Sequence, residues 1–185
     1  MVSEGRKPQG HKIGHYKDRD DIVGEHRFSD IGQLVCLILF TVLWTLDSFV
    51  FHFSTFLNEY IKIYVSAPIG GMILVISGYL AFKGLKQVFK EVRDSPEVIK
   101  TGVFRYSRHP IYLGSILLYL GLTIITLSLA SLGLLVLISA FYEYIATQEE
   151  VLLVEHFGEE YTDYVSETRK WLPISKYKGR EDSKK

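Results

Sequence analysis

Long apolar runs separated by charged stretches set the plan of this chain. The first, Ile31–Phe53, would reach about 35 Å as a helix and the second, Ile63–Phe82, about 30 Å, each enough for a hydrocarbon core of about 30 Å. A third apolar run, Pro110 to Ala146, would extend about 55 Å as one helix, too long for a single crossing. Ser128–Ser131, with Gly133 behind them, divide it, so the pattern predicts a tight hairpin with spans at 110–127 and 131–147. From Gln148 the chain turns polar again, and a further helix interrupted at Gly158 is expected there. Tyr161, Tyr164 and Val165 fall at helical spacing, which predicts one covered face. The expected fold is therefore all-α. It is a polytopic membrane helical bundle of about four spans with a C-terminal cytosolic helical segment.

The flanks divide the chain further. Residues 1–30 read as a polar cytosolic tail, with a short helix near Asp20–Arg27. Its first apolar residue run begins only near Ile31, which does not resemble a secretory signal. Residues 31–93 hold the first two spans and an extension of the second helix to Arg93, ended by Ser95-Pro96. Residues 94–175 form the expected core, and 176–185 a basic tail. Lys and Arg gather in the loop after the second span and at the C-terminus, whereas Ser54–Lys62 holds one Lys. An integral membrane protein with both termini cytoplasmic satisfies the positive-inside rule.

Composition removes several function classes. The 21 basic and 21 acidic residues cancel, which offers no field for nucleic acid. Cys36 is the single cysteine and lies in an apolar run, so neither an intramolecular disulfide nor a reactive thiol is expected. His11 and His15 are four apart, but Gly14 intervenes and no third ligand accompanies them, so no metal site is expected. Asp47 is a carboxylate inside a span, near its far end, and is a functional candidate by position. Pro68 sits in the first turns of the second span, and Gly70, Gly71 and Gly78 are expected to permit close helix packing. No glycine-rich nucleotide fingerprint is present, which excludes a soluble Rossmann-type site.

The candidate chemistry lies at Thr101–Gly114, TGVFRYSRHPIYLG. Pro110 suits the first helical position and biases His109 toward an extended conformation at the cap. A helix start attracts an anion, and Arg108 adds a forked donor. Tyr112 offers an aromatic face with a hydroxyl. Antiparallel third and fourth helices would bring Glu149 and Glu150 to the same side, as partners for an ammonium or ribose hydroxyls. Anion grip, aromatic surface and carboxylate together suit a zwitterionic nucleoside cofactor; solvated membrane anchors are the plainer alternative.

Thr101–Gly114, then Glu149-Glu150 and Phe157-Gly158-Glu159-Glu160-Tyr161, resemble the isoprenylcysteine carboxyl methyltransferase family and the related membrane phospholipid methyltransferases. The shared pattern is Gly-x-Tyr/Phe, Arg-His-Pro-x-Tyr, an apolar hairpin, Glu-Glu and Phe-Gly-x-x-Tyr, over roughly Pro96 to Pro173. The resemblance implies S-adenosylmethionine-dependent methyl transfer to a lipophilic or lipidated acceptor at the membrane. It implies cofactor contacts at Glu97, Val98, Ile99, Phe104, His109, Pro110, Ile111, Tyr112 and Glu149, and catalytic roles for Arg108, His109 and Glu150. Two positions depart from the pattern. Phe104 stands where Tyr is frequent. Ile145 stands four residues before the cofactor-binding Glu, where members acting on prenylcysteine carboxylates carry Arg, so Arg108 would have to face that carboxylate.

A prenylcysteine carboxylate, a phospholipid amine and a thiol are all possible acceptors, and the sequence leaves the oligomeric state open. An amine would arrive deprotonated, with Glu150 or His109 taking its proton. An NADPH-dependent membrane reductase and a non-enzymatic scaffold are the competing readings.

Overall fold

The computed structural model describes residues 27–90 and 97–171. The expectations for His11, His15, the Asp20–Arg27 helix before its last residue, the end at Arg93, the Ser95-Pro96 break and the basic tail lie outside them. Among the described residues there is no strand. Helix α1 (Arg27–Thr45) continues through a wider π-helical turn at Leu46–Phe51. Helix α2 (Ile63–Leu85) runs on into another such turn at Lys86–Lys90. Helices α3 (Pro110–Thr126), α4 (Leu129–Phe157) and α5 (Glu159–Glu167) follow. The stretches Ser29–Phe51, Ile63–Phe89 and Leu129–Phe157 are long and apolar enough to cross a membrane, and Pro110–Thr126 is a shorter apolar helix.

Helix α3 is the spine. It lies antiparallel along α2 on a seam of small residues: Gly70, Ser77 and Gly84 face Ile125, Gly114 and Ile111 in turn. A Cβ on Gly70 would sit 2.6 Å from the Gly121 carbonyl oxygen, and one on Gly114 would sit 3.2 Å from that of Ser77. The backbones therefore approach closely enough for Ser77 Oγ to donate to the Gly114 carbonyl at 2.7 Å and Ser66 Oγ to that of Ile125 at 3.2 Å. Where lipid supplies no hydrophobic drive between helices, such contacts and hydrogen bonds hold them together. Only Gly70 of the three glycines expected in contacts takes part. A Cβ on Gly71 or Gly78 would meet nothing within 4 Å, because the helical rotation turns both off the seam.

The other side of α3 packs with α1 and α4 around Phe40, Tyr119, Leu135, Ile138 and Tyr142. The Phe40 and Tyr119 rings are 4.6 Å apart. Ending α3 requires a reversal, and Leu127 takes a left-handed conformation (φ 49°) to make it. Ser128 then caps α4, accepting from the Ser131 amide at 3.0 Å. The division at Ser128–Ser131 is thus where the residue pattern puts it. The fourth helix differs from expectation by running unbroken to Phe157, absorbing the segment from Gln148 that reads as separate. Its interruption falls at Gly158, whose φ of 56° and ψ of −124° only glycine adopts readily.

Asp47 belongs to this reversal. Its carboxylate accepts from the Ser54 amide at 2.9 Å, from Ser54 Oγ at 2.6 Å and from Ser128 Oγ at 2.5 Å. Ser54 Oγ in turn accepts from the Ala130 amide at 2.8 Å. The carboxylate is a staple between the end of α1 and the start of α4, with its hydrogen-bonding capacity directed at structure rather than at a ligand.

Filling the seam should cost far more than filling its neighbour. Gly70→Leu is expected to destabilise the detergent-solubilised protein by about 1–3 kcal/mol through overpacking, whereas Gly71→Leu leaves the melting temperature within error. Equal melting temperatures for the two variants would contradict the packing described.

Candidate functional site

The site forms where the start of α3, the last third of α4, the start of α1 and the segment after α5 converge. His109 caps α3 and Pro110 occupies its first position, as the Arg-His-Pro order predicts. Arg108 Nε donates to Glu150 Oε1 at 2.8 Å. His109 Nε2 lies 3.1 Å from that same oxygen, and Nδ1 lies 3.7 Å from Glu149 Oε2. The imidazole thus stands between two carboxylates, stacked on Tyr112 with the planes 2° apart and ring centroids 5.6 Å apart. The Tyr112 hydroxyl donates a short hydrogen bond to Glu149 Oε1. Arg108, His109 and Tyr112, each about forty residues from the Glu149 or Glu150 it meets, are therefore joined with them in one connected cluster.

A strap closes over this cluster from the C-terminal side. Gly158 turns the chain out of α4, and α5 lays Tyr161 and Tyr164 inward, 3% and 4% exposed. Burial pushes both hydroxyls above their ordinary range. Tyr164 donates to the Phe104 carbonyl at 2.5 Å, and Lys100 pairs with Glu160 at 3.1 Å, so α5 also holds the loop before the junction. Residues 168–170 then run across the junction itself. Arg108 Nη1 donates to the carbonyls of Thr168 at 2.5 Å and Val165 at 3.3 Å. The Arg108 amide donates to Arg169 O at 3.1 Å, the His109 amide to Lys170 O at 3.4 Å, and Ser107 Oγ to Lys170 O at 2.9 Å. Trp171 ends the strap with its ring 5.9 Å from that of His109. Lys170 Nζ bonds Glu143 at 2.6 Å and Thr147 at 2.8 Å and lies 3.9 Å from Glu150.

This arrangement changes the part assigned to Arg108. Its guanidinium was expected to face an incoming anion; it faces Glu150 and two backbone carbonyls instead, because the strap returns within its reach. Ile145, the position that departs from the resembled pattern, is 6% exposed and belongs to the core here. Among the remaining expected residues, Pro110 is fully buried. Ile111 turns toward α2, where a Cβ on Gly84 would meet its Cγ1 at 2.6 Å. Phe104 is half-buried on a short helical turn at Gly102–Arg105, and upstream of it Glu97 is exposed while Val98 and Ile99 are half-buried. Ser29, Lys170 and Trp171 are members that the residue pattern did not single out. The aromatic-rich Tyr-x-x-Tyr of α5 was a signal for the strap; Ser29 gave none. Among the described residues no group of three His, Cys, Asp or Glu side chains is placed to hold a metal ion.

The pattern of the phospholipid methyltransferase family matches residues 61–160, more than half of the chain. The chain belongs to the phospholipid methyltransferase family. The matched segment of this family member contains α2, α3 and α4 with Arg108, His109, Tyr112, Glu149 and Glu150. It is also similar to the protein-S-isoprenylcysteine O-methyltransferase of Saccharomyces cerevisiae, with 29% identity over 116 residues. That match covers 56% of this chain and 48% of the yeast protein, so the chain spans about half the length of its curated relative. No solved structure matches it. Neither match lends support to the reductase or scaffold readings.

The strap should come loose when the fork of Arg108 is removed. Lysine offers a point charge that cannot serve Glu150 and the Thr168 carbonyl together. Losing charge-assisted bonds worth about 1.5–3 kcal/mol should speed amide exchange at Arg108 and His109 by about tenfold or more in Arg108→Lys. Unchanged exchange at those two amides would show that the guanidinium does not hold the strap.

Proposed function

We propose that this protein is an S-adenosylmethionine-dependent methyltransferase acting on a lipophilic acceptor at the membrane, of the isoprenylcysteine O-methyltransferase kind. The observation that carries this reading is Glu149, held by Tyr112 beside the His109 ring at the junction of α3 and α4, inside the family's matched segment. The donor set fits the methyl donor. Glu149 Oε2 is turned toward the ring rather than engaged by Tyr112, and suits a ribose hydroxyl or an ammonium. The stacked His109 and Tyr112 faces suit the sulfonium and adenine, and the start of α3 suits the carboxylate. Glu97, Val98, Ile99 and Phe104 on the preceding loop, with Pro110 and Ile111 shaping the turn, complete the proposed cofactor contacts.

S-adenosylmethionine, when bound, supplies an electrophilic methyl group on a sulfonium. The chain's own residues align the acceptor and exclude water, which is where most of the rate in such a displacement can arise. A carboxylate or thiolate acceptor needs no base. With an amine acceptor, His109 takes the proton, and Glu150 orients the ring by accepting from Nε2 while Arg108 anchors Glu150. Arg108 and Glu150 thus act mainly by positioning. Lys170, paired with Glu143 and 3.9 Å from Glu150, is the cation proposed to meet an acceptor's carboxylate, since Arg108 is engaged by Glu150 and the strap.

The membrane arrangement belongs to the same proposal. Helix α4, at 29 residues, would extend about 43 Å against a core of about 30 Å, so its last turns, bearing Glu149 and Glu150, emerge with the junction. The 17 residues of α3 reach the lower limit for a span, giving four spans with both termini cytoplasmic and the core at residues 94–175.

Purified protein should bind S-adenosylhomocysteine saturably in calorimetry, and His109→Ala and Glu149→Ala should abolish that binding while leaving the melting profile cooperative. Folded wild type that takes up no ligand ends the proposal. Methyl-labelled donor with farnesyl-cysteine or total lipids as acceptor then identifies the acceptor by which fraction gains label.

A further inference from the structure

The first helix enters the site through Ser29. This residue stands in the first turn of α1, 83 residues from Tyr112 and 120 from Glu149 in sequence, and before the segment that the family matches. Its Oγ lies 3.0 Å from the Tyr112 hydroxyl oxygen and donates to Glu149 Oε1 at 3.2 Å. It is 3% exposed, so this is a packed contact rather than a surface one.

Two hydroxyl donors on one carboxylate oxygen do more than neutralise it. A carboxylate on a flexible side chain can rotate about its terminal torsion, which is broad and nearly two-fold. With Tyr112 and Ser29 both directed at Oε1, that rotation is restrained and Oε2 is presented on the His109 side, 3.7 Å from Nδ1. That separation is too long for a good hydrogen bond, so the ring leaves Oε2 acceptor capacity for a ligand donor.

We propose that Ser29 is a positioning residue of the methyl-donor site: with Tyr112 it fixes Glu149 so that Oε2 receives the ribose hydroxyl or ammonium of a sulfonium nucleoside. This rests on the methyl-transfer reading above. It makes α1 part of the binding site.

The test is calorimetric titration of S-adenosylhomocysteine into the full-length wild-type protein, Ser29→Ala, Ser29→Thr, Glu149→Gln and the Ser29→Ala/Glu149→Gln double variant, each with a melting curve. Loss of one hydrogen bond to a charged group should weaken binding to Ser29→Ala about tenfold, and Ser29→Thr should recover most of it. If Glu149→Gln retains measurable affinity, adding Ser29→Ala to it should weaken binding by less than about threefold, since Ser29 acts through Glu149. Wild-type affinity in Ser29→Ala overturns the inference, as does equal weakening by Ser29→Ala in the presence and absence of the Glu149 carboxylate. A lowered melting temperature with no recovery by threonine also overturns it, by reducing Ser29 to a packing contact. Absence of binding by the wild type instead overturns the methyl-transfer reading on which it rests.

Discussion

The ion pair between Arg108 and Glu150 is the contact on which the candidate site depends. Arg108 sits just before α3 and Glu150 near the end of α4, and the 2.8 Å bond between them closes the hairpin at its open end. The same guanidinium holds the carbonyls of Val165 and Thr168, so hairpin and strap are fastened at one point. Glu150 passes the constraint on to His109, and through the His109 ring to the neighbourhood of Glu149 and Tyr112. A partly buried pair of this kind is weak evidence for overall stability, because desolvation offsets much of its attraction. Its value is geometric: it fixes which atoms face which.

The two ends of the bundle solve the same problem differently. At the reversal, Asp47 receives three hydrogen bonds from Ser54 and Ser128, and the polar groups close upon one another. At the junction end, Glu149 receives its hydroxyl donors on one oxygen and keeps the other beside a ring nitrogen. The first is a finished structural knot. The second holds polar capacity that its own neighbours do not fully use.

Much of this was legible in the sequence because it rests on local rules. Pro110 after His109 marks a helix start, Ser128 marks a helix cap, and span length with charge asymmetry puts Glu149 beside His109. What escaped depends on distance along the chain or on helical phase. Ser29 meets Glu149 across 120 residues, and no periodicity records that. The strap is made by backbone carbonyls, which every residue carries, so side-chain identity says little about it. Gly71 and Gly78 differ from Gly70 only in the angle at which α2 presents them. Helix α4 runs on past Gln148 because polarity changes there while helix propensity does not: Glu, Leu and Gln all favour the helix.

The strap also sets an order of assembly. The carbonyls that receive Ser107, Arg108 and His109 belong to residues 168–170, which a ribosome makes some sixty residues after the junction itself. A nascent chain made only as far as α4 therefore carries a helical bundle whose junction end is still untied. The helices can pair as they are made, but the tie across the junction forms only once residues 168–170 have been added.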